Sequence, residues 1–219
     1  QEAYVHGYWN EFINFIRGLF NSALKTNPYL ERAVMTGITR VSKESVFSDL
    51  NNLKVITITS EEYADCFGFT EEEVFAALDE YGMSDRKEEV KSWYDGFTFG
   101  EHRDIYNPWS ITNYLEEGKL YPYWASTSSN GLVSRLIRTS SADVKEKMED
   151  LLRGQEIVAN FDEQIVYNQL DHNEDAIWSL LLASGYLKVK GIEYRGITRE
   201  PWYILDITNI ETLSMFMTM

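Results

Sequence analysis

The sequence has 219 residues, 44% hydrophobic and 14% aromatic, which is enough to bury the core of one large domain or two small ones. Twenty Lys and Arg residues against 35 Asp and Glu give a net charge of −15, so the average surface repels phosphate and direct nucleic-acid binding is not expected. A single cysteine excludes an internal disulfide, no apolar run approaches the ~20 residues that cross a bilayer, and no leader opens the sequence, so we expect a cytoplasmic protein without membrane contact.

The first predicted element is an amphipathic helix that ends before Asn27-Pro28. Apolar residues recur there at steps of three and four. They are Val5, Trp9, Phe12, Ile13, Ile16, Leu19, Phe20 and Ala23.

Two short apolar runs, Ala33-Val34-Met35 and Val55-Ile56-Thr57-Ile58-Thr59, predict strands. The first run stops at Thr36 and Gly37 and opens into a polar loop. Ligands of open α/β sheets bind where strands end, near helix N-termini and free backbone N–H groups. Thr36 and Arg40 are therefore the first polar residues that we assign to a site.

From Ser60 onward the pattern changes to short helices with clear end signals. Thr70 to Glu73 forms a capping box, and Gly82 closes the helix that follows. Similar signals predict, in order, a helix capped by Ser84 that runs through Trp93, a turn-rich connector or small hairpin after Asp95-Gly96, and a helix from Pro108 to Gly118.

The polar run from Ser126 to Asn130 predicts a domain boundary. The elements predicted beyond it are helices at 132–138, 142–153 and 176–185, paired strands at 186–189 and 202–207, and a last helix capped by Asn209. Three helices and a hairpin in this order are typical of a winged helix. The third helix follows an acidic segment, 171–175, which contains His172 and which either attracts a cation or simply suits a helix N-terminus. Its charge argues against phosphate contact.

Six motifs occur in order along the chain. They are Thr36-Gly37-Ile38-Thr39-Arg40, the segment 47–53, the segment 66–73, Trp93-Tyr94-Asp95-Gly96-Phe97, Tyr106-Asn107-Pro108-Trp109-Ser110, and Gly185-Tyr186-Leu187. Together they resemble the AAA-ATPase-like family, a bacterial family whose members often carry a nuclease-like domain of the PD-(D/E)xK type at the C-terminus. The phosphate-loop pattern G-x-x-x-x-G-K-[ST] does not occur in the sequence. The chain is therefore expected to match a truncated family protein, namely the part after the phosphate-binding half.

The resemblance implies an α+β, mainly helical fold with three parts. Residues 1–59 would be the C-terminal remnant of a P-loop ATPase α/β core, residues 60–125 a helical lid, and residues 126–219 a winged-helix-like domain. A remnant with two strands exposes an apolar edge, so we expect it to be poorly ordered or covered by a second copy in a homo-oligomer.

The resemblance also implies roles for site residues. Thr36 and Arg40 occupy the positions that sense the γ-phosphate in AAA-like ATPases, where a hydroxyl orients the attacking water and an arginine offsets developing charge. The alternative is that Thr36 only ends a strand and that Arg40 pairs with Glu44.

A second group of residues is expected at the nucleotide. Tyr94, Asp95, Tyr106, Asn107 and Pro108 match a turn and proline that contact the base before a lid helix, with Tyr106 or Trp109 stacking on adenine. The alternative is that Tyr94 and Trp109 are ordinary core aromatics and that Asn107 caps a helix.

In the intact protein we expect ATP and Mg²⁺ to be bound, and hydrolysis to drive movement of the lid and the winged helix. Its expected partners are the N-terminal ATPase half, an attached nuclease-like domain that these movements would gate, and a protein ligand. For this chain alone we expect no cofactor, no metal and no catalysis. The competing interpretation is a non-catalytic protein-interaction or regulatory module.

Overall fold

A computed structural model of the chain describes residues 3, 6–25, 27–37, 54–127, 131–161 and 175–219. Within these ranges the fold is α+β, with eight α-helices and two three-stranded antiparallel sheets. The predicted α+β class is therefore confirmed. Among the described helices, none combines the length and the apolar character needed to span a membrane.

The helices are numbered in chain order. They are α1 (Trp9–Leu24), α2 (Glu71–Glu80), α3 (Lys87–Tyr94), α4 (Pro108–Glu117), α5 (Gly131–Thr139), α6 (Ala142–Leu152), α7 (Ala176–Ala183) and α8 (Ile210–Met217). The strands of the first sheet, in the order β1-β3-β2, are β1 (Phe69–Thr70), β2 (Phe97–Phe99) and β3 (His102–Tyr106). Those of the second sheet, in the order β4-β6-β5, are β4 (Ile157–Ala159), β5 (Leu187–Arg195) and β6 (Glu200–Ile207).

Both strands predicted before residue 60 are wrong. Residues 33–35 are irregular, and the side chain of Val34 is 89% exposed. Residues 54–57 are also irregular and lead into a turn at 58–59. An apolar run forms a strand only beside a partner that takes its backbone hydrogen bonds. Here the carbonyl of Ile58 instead accepts the Gly100 N–H at 2.7 Å, and the Ile58 side chain packs against the second of two cores.

The first core lies between helices α2, α3 and α4 and the first sheet. Its fully covered side chains are Val74, Leu78, Val90, Tyr94, Tyr106, Ile111 and Tyr114. The predicted capping box forms: the Thr70 hydroxyl accepts the Glu73 N–H at 3.3 Å, and the Glu73 carboxylate accepts the Thr70 N–H at 2.9 Å. Ser84, by contrast, begins a short 3₁₀ turn, Ser84–Arg86, and α3 starts only at Lys87.

The second core joins α5 to α8 with the second sheet. Trp178, Leu181 and Leu205 are its most deeply buried members. Strand β4 was not predicted, because three residues are too few for alternation to be visible. It pairs with β6 from Ile157 opposite Leu205 to Ala159 opposite Tyr203. Beyond that pairing β5 and β6 continue as a two-stranded ribbon to Arg195 opposite Glu200.

Candidate functional site

Five polar or ionisable side chains meet where α3 joins the first sheet, and we refer to them as the carboxylate cluster. Asp95 follows α3 directly, Asp104 and Tyr106 lie on β3, Glu71 opens α2, and Lys91 lies in the last turn of α3. Strand pairing and helix ends thus bring together residues that are up to 35 positions apart in the sequence.

Glu71 lies at one side of the carboxylate cluster, where it contacts Lys91 and Tyr106. Lys91 forms an ion pair with its Oε2 atom, and the Tyr106 hydroxyl donates a hydrogen bond to the same oxygen at 3.3 Å. Burial, reinforced by the charges of Asp95 and Glu71, raises the pKa of Tyr106. Tyr106 is therefore a neutral donor rather than a phenolate at physiological pH.

Asp95 lies at the other side of the carboxylate cluster, near Asp104 and Lys91. Burial and then the neighbouring Asp104 carboxylate raise the pKa of Asp95 from 3.8 to about 6, against the opposing charge of Lys91. Its Oδ1 atom is buried and finds no hydrogen-bond donor in the described part of the chain. The Asp95 carboxyl can therefore take up and release a proton near pH 6.

Metal binding is not indicated by this geometry. Across the described ranges, no group of three or more His, Cys, Asp or Glu side chains is disposed to hold a metal ion. The chemistry that the carboxylate cluster offers is proton exchange at Asp95 beside the Lys91 ammonium.

A second polar arrangement joins the two cores, and we refer to it as the Glu211 junction. Glu211 lies in the first turn of α8 and is fully buried. The Ser110 hydroxyl on α4 donates to Glu211 Oε2 at 2.8 Å, the Trp124 N–H donates to Oε1 at 2.7 Å, and the Ala125 N–H donates to Oε1 at 3.3 Å. Burial raises the pKa of Glu211, and these three donors oppose that rise.

The backbone around the Glu211 junction fits closely. Asn209 caps α8 by accepting the Thr212 N–H, while its amide donates to the Tyr94 carbonyl at 3.1 Å. Gly96 has a φ of +132°, and a Cβ atom there would come within 2.0 Å of the Thr208 carbonyl oxygen. The end of α3 is thus tied to the start of α8 by direct contact of the two backbones.

Of the five residues predicted at the nucleotide, Asp95 and Tyr106 belong to the carboxylate cluster, whereas Tyr94, Asn107 and Pro108 have structural roles nearby. The Tyr94 hydroxyl is buried, donating to the Tyr121 carbonyl at 2.9 Å and accepting the Tyr121 N–H at 3.1 Å. Asn107 caps α4 by accepting the Trp109 N–H at 2.9 Å, and Pro108 occupies the first helical position. The Tyr106 ring is fully covered, whereas Trp109 is 55% exposed. In this structure, therefore, Trp109 rather than Tyr106 has an aromatic face open to a ligand.

Of the two predicted catalytic residues, only Thr36 is described, and no described contact brings it to either arrangement. Thr36 lies on irregular, exposed backbone. Arg40 lies outside the described residues, as do its alternative partner Glu44 and most of the acidic segment around His172.

Apart from Asp95 and Tyr106, the members of the two arrangements were not predicted, and these include Glu71, Asp104 and Glu211. In the sequence Glu71 is one of three consecutive acidic residues in a first helical turn, and no local pattern distinguishes Asp104. Glu211 did carry a signal, because it shares a face with Met215 in a short, largely apolar helix. A lone carboxylate on a buried face is costly unless donors surround it, so it indicates a tertiary contact.

The chain is similar to a protein of Azotobacter chroococcum mcd 1 that is described as "Uncharacterized protein in vnfD 5'region". The two are 25% identical over 197 residues, which make up 90% of this chain and 35% of the relative. The chain thus spans about a third of the length of that relative. No protein-family model matches the sequence, and no solved structure matches it.

Proposed function

We propose that this chain is the lid and winged-helix-like portion of an AAA-like ATPase. In this proposal ATP and Mg²⁺ bind to a phosphate loop on another segment, and the chain converts their binding and hydrolysis into movement. The single observation that carries the proposal is the Glu211 junction, which makes one mechanical unit of the two cores.

The two cores are hard to separate because their shared polar groups would lose their hydrogen-bond partners in a site that water hardly reaches. The Glu211 carboxylate and the Ser110 hydroxyl are fully buried and satisfy each other, and the Trp124 N–H, in a partly buried residue, donates to the same carboxylate. Pulling the first core away from α8 would leave each of them unpaired in a poorly solvated site, at a cost of ~1–3 kcal/mol per group. Torque applied to the lid would therefore reach the C-terminal core.

The order of elements supports a winged-helix-like C-terminal part. Helices α5 and α6 are followed by β4, then by α7 and the β5–β6 hairpin, and the three strands form one sheet. The hairpin extends past β4 as the wing would. In the proposal this part transmits the movement to an attached nuclease-like domain or to a protein ligand.

The proposal gives Thr36 and Arg40 a role only when the phosphate-binding half is present. A sensing hydroxyl must be held to within about 0.5 Å by packed neighbours, whereas Thr36 is exposed in the described part of the chain. In the proposal, docking of the phosphate-binding half holds Thr36 and Arg40 at the γ-phosphate.

The test compares this chain with a longer product that includes a phosphate loop. A ligand at 100 times its Kd adds ~2.7 kcal/mol of stability, so ATP with Mg²⁺ should raise the Tm of the longer product and leave that of the 219-residue chain unchanged. Thr36→Ala and Arg40→Ala should each lower hydrolysis at least tenfold, while Thr198→Ala at the exposed hairpin turn should not. A longer product that neither binds nor hydrolyses ATP contradicts the proposal.

The second candidate function is a non-catalytic interaction module, and the ribbon favours it. The Arg195 guanidinium stacks over Trp202 at 4.3 Å, and that of Arg199 lies 5.0 Å from the Tyr194 ring. Beside them Ile197 is fully exposed. Arg, Tyr and Trp are the residues that dominate binding energy at protein interfaces. If this function is correct, Ile197→Asp abolishes binding of the protein ligand, and ATP has no effect.

A further inference from the structure

Helix α1 is apolar on two of its faces, but only one of them is covered in the described structure. The inner face buries Ile13 and partly covers Trp9, Ile16 and Phe20. The outer face carries a stripe, which we call the outer stripe, whose members are 40 to 68% exposed: Tyr8, Phe12, Phe15 and Leu19. A helix that is apolar around most of its circumference is normally buried on all those sides.

The spacing of the outer stripe indicates what would cover it. Its members follow one another at steps of four, three and four, which is the spacing of the seam between two paired helices. The same steps are obtained when the helix is read backwards. Two antiparallel copies of α1 would therefore place Tyr8 opposite Leu19 and Phe12 opposite Phe15. Such self-complementarity is what a two-fold interface between identical chains requires.

The distribution of charge also favours a second copy of α1 at the outer stripe. The chain carries a net charge of −15, so two copies repel each other over most approaches. Helix α1 contains one acidic residue, Glu11, and one basic residue, Arg17, and the outer stripe contains neither. In the antiparallel register the flank of Glu11 faces the flank of Gly18, so that no like charges meet.

We propose that α1 pairs with α1 of a second copy of this chain, antiparallel, through the outer stripe. From an aromatic side-chain area of 150–250 Å², the four members leave on the order of 300–400 Å² per copy open to solvent. A dimer covering twice that area lies below the standard size of stable interfaces. The pairing is therefore weak and should depend on protein concentration. It is independent of the proposed ATPase role.

Sedimentation equilibrium of the 219-residue chain from ~1 to ~300 µM tests this pairing. The mass should rise from one chain to two across this range. Phe15→Glu places a charge in the seam and should hold the mass at one chain. Asn14→Glu, which adds the same charge to the exposed polar face, should leave the transition unchanged. A monomer at every concentration, or equal dissociation by both variants, overturns the proposal. If Phe15→Glu loses its helical circular dichroism signal, the same measurement is made with Phe15→Gln, which should also hold the mass at one chain.

Cross-linking tests the direction of the pairing. In a Cys66→Ser background, the double variant Tyr8→Cys with Leu19→Cys should form an intermolecular disulfide with oxidised glutathione. Tyr8→Cys alone should not, because antiparallel copies hold the two Tyr8 positions about 16 Å apart along the axis. Cross-linking of Tyr8→Cys alone overturns the antiparallel arrangement. A monomeric chain that cross-links in neither form excludes a second copy and assigns the outer stripe to a different polypeptide.

Discussion

The hydroxyl of Ser110 hydrogen-bonds to both carboxylate oxygens of Glu211, 101 residues further along the chain, at 2.8 and 3.0 Å. Both side chains are fully buried, so each depends on the other for a partner that water cannot supply. The bond connects α4 to α8 and hence the first core to the second.

Removing Glu211 should be much more costly than removing Ser110. Ser110→Ala leaves the carboxylate with two backbone donors and should lower the free energy of unfolding by about 1–2 kcal/mol. Glu211→Ala removes the acceptor that the buried Ser110 hydroxyl and the N–H groups of Trp124 and Ala125 share, and should cost more than ~3 kcal/mol. Urea denaturation measures both, with the exposed Glu146→Ala as control within 0.5 kcal/mol of the parent. Similar costs for Ser110→Ala and Glu211→Ala would contradict this expectation.

Asp95 should make the protein less stable as the pH rises. Its pKa is about 6 in the folded chain and 3.8 as the ordinary value, so the folded state binds the proton more tightly. The free energy of unfolding therefore falls between about pH 4 and pH 6, and the stabilisation is gone above pH 6. Asp95→Asn should remove the contribution of Asp95 to this slope and raise stability at pH 7 by about 1 kcal/mol, a value reduced for solvent screening.

Thermal unfolding from pH 4 to pH 8 measures this effect. Burial of Glu211 shifts the pKa of that residue in the same direction, so part of the slope should survive in Asp95→Asn. Asp104→Asn removes the neighbouring charge but not the burial, and should flatten the slope only in part. A slope identical in the parent and Asp95→Asn would contradict the raised pKa of Asp95.

Gly96→Ala should destabilise the chain by at least 3 kcal/mol. The new Cβ atom would approach the Thr208 carbonyl oxygen to 2.0 Å, and the φ of +132° is unfavourable for any side chain. Gly18→Ala in α1 is the matched control, because no atom lies within 4 Å of its Cβ position. That change should raise stability by about 0.5–1 kcal/mol. Equal effects of the two substitutions would contradict the close approach of α3 and α8.

Substitutions of Asn107 separate a helix cap from a nucleotide contact. Asn107→Ala should cost about 1 kcal/mol, because the N–H groups of Trp109 and Ser110 lose their acceptor. Asn107→Asp keeps an acceptor at the cap and should restore stability. In a longer product that binds ATP, loss of affinity in Asn107→Asp at unchanged stability would demonstrate a contact beyond the cap.

Local signals in the sequence predicted the helix ends well. The capping box at Thr70, the Asn107-Pro108 start of α4, the cap at Asn209 and the presence of α1 are all found in the structure. Each depends on residues within a few positions of one another, so the sequence contains the whole interaction.

Several features that depend on distant residues were missed or wrong, although the predicted pairing of strands 186–189 and 202–207 is found. The runs at 33–35 and 55–59 have the composition of strands, but strand formation also requires a neighbour, which composition does not reveal. The meeting of Asp95 with Asp104 follows from the β2–β3 hairpin and its irregular register. That of Ser110 with Glu211 follows from the packing of α4 and α8, which no local pattern encodes.

The Glu211 junction also constrains how the chain folds as it is synthesised. The ribosome completes Ser110, Trp124 and Ala125 long before residue 211, which lies 86 to 101 positions later. At 5–20 residues per second this interval is roughly 4–20 s. During that time the first core has all of its apolar residues but lacks the carboxylate that its donors require. Nascent chains halted before residue 211 should therefore expose the α4 surface to chaperones and proteases, and chains that include α8 should not.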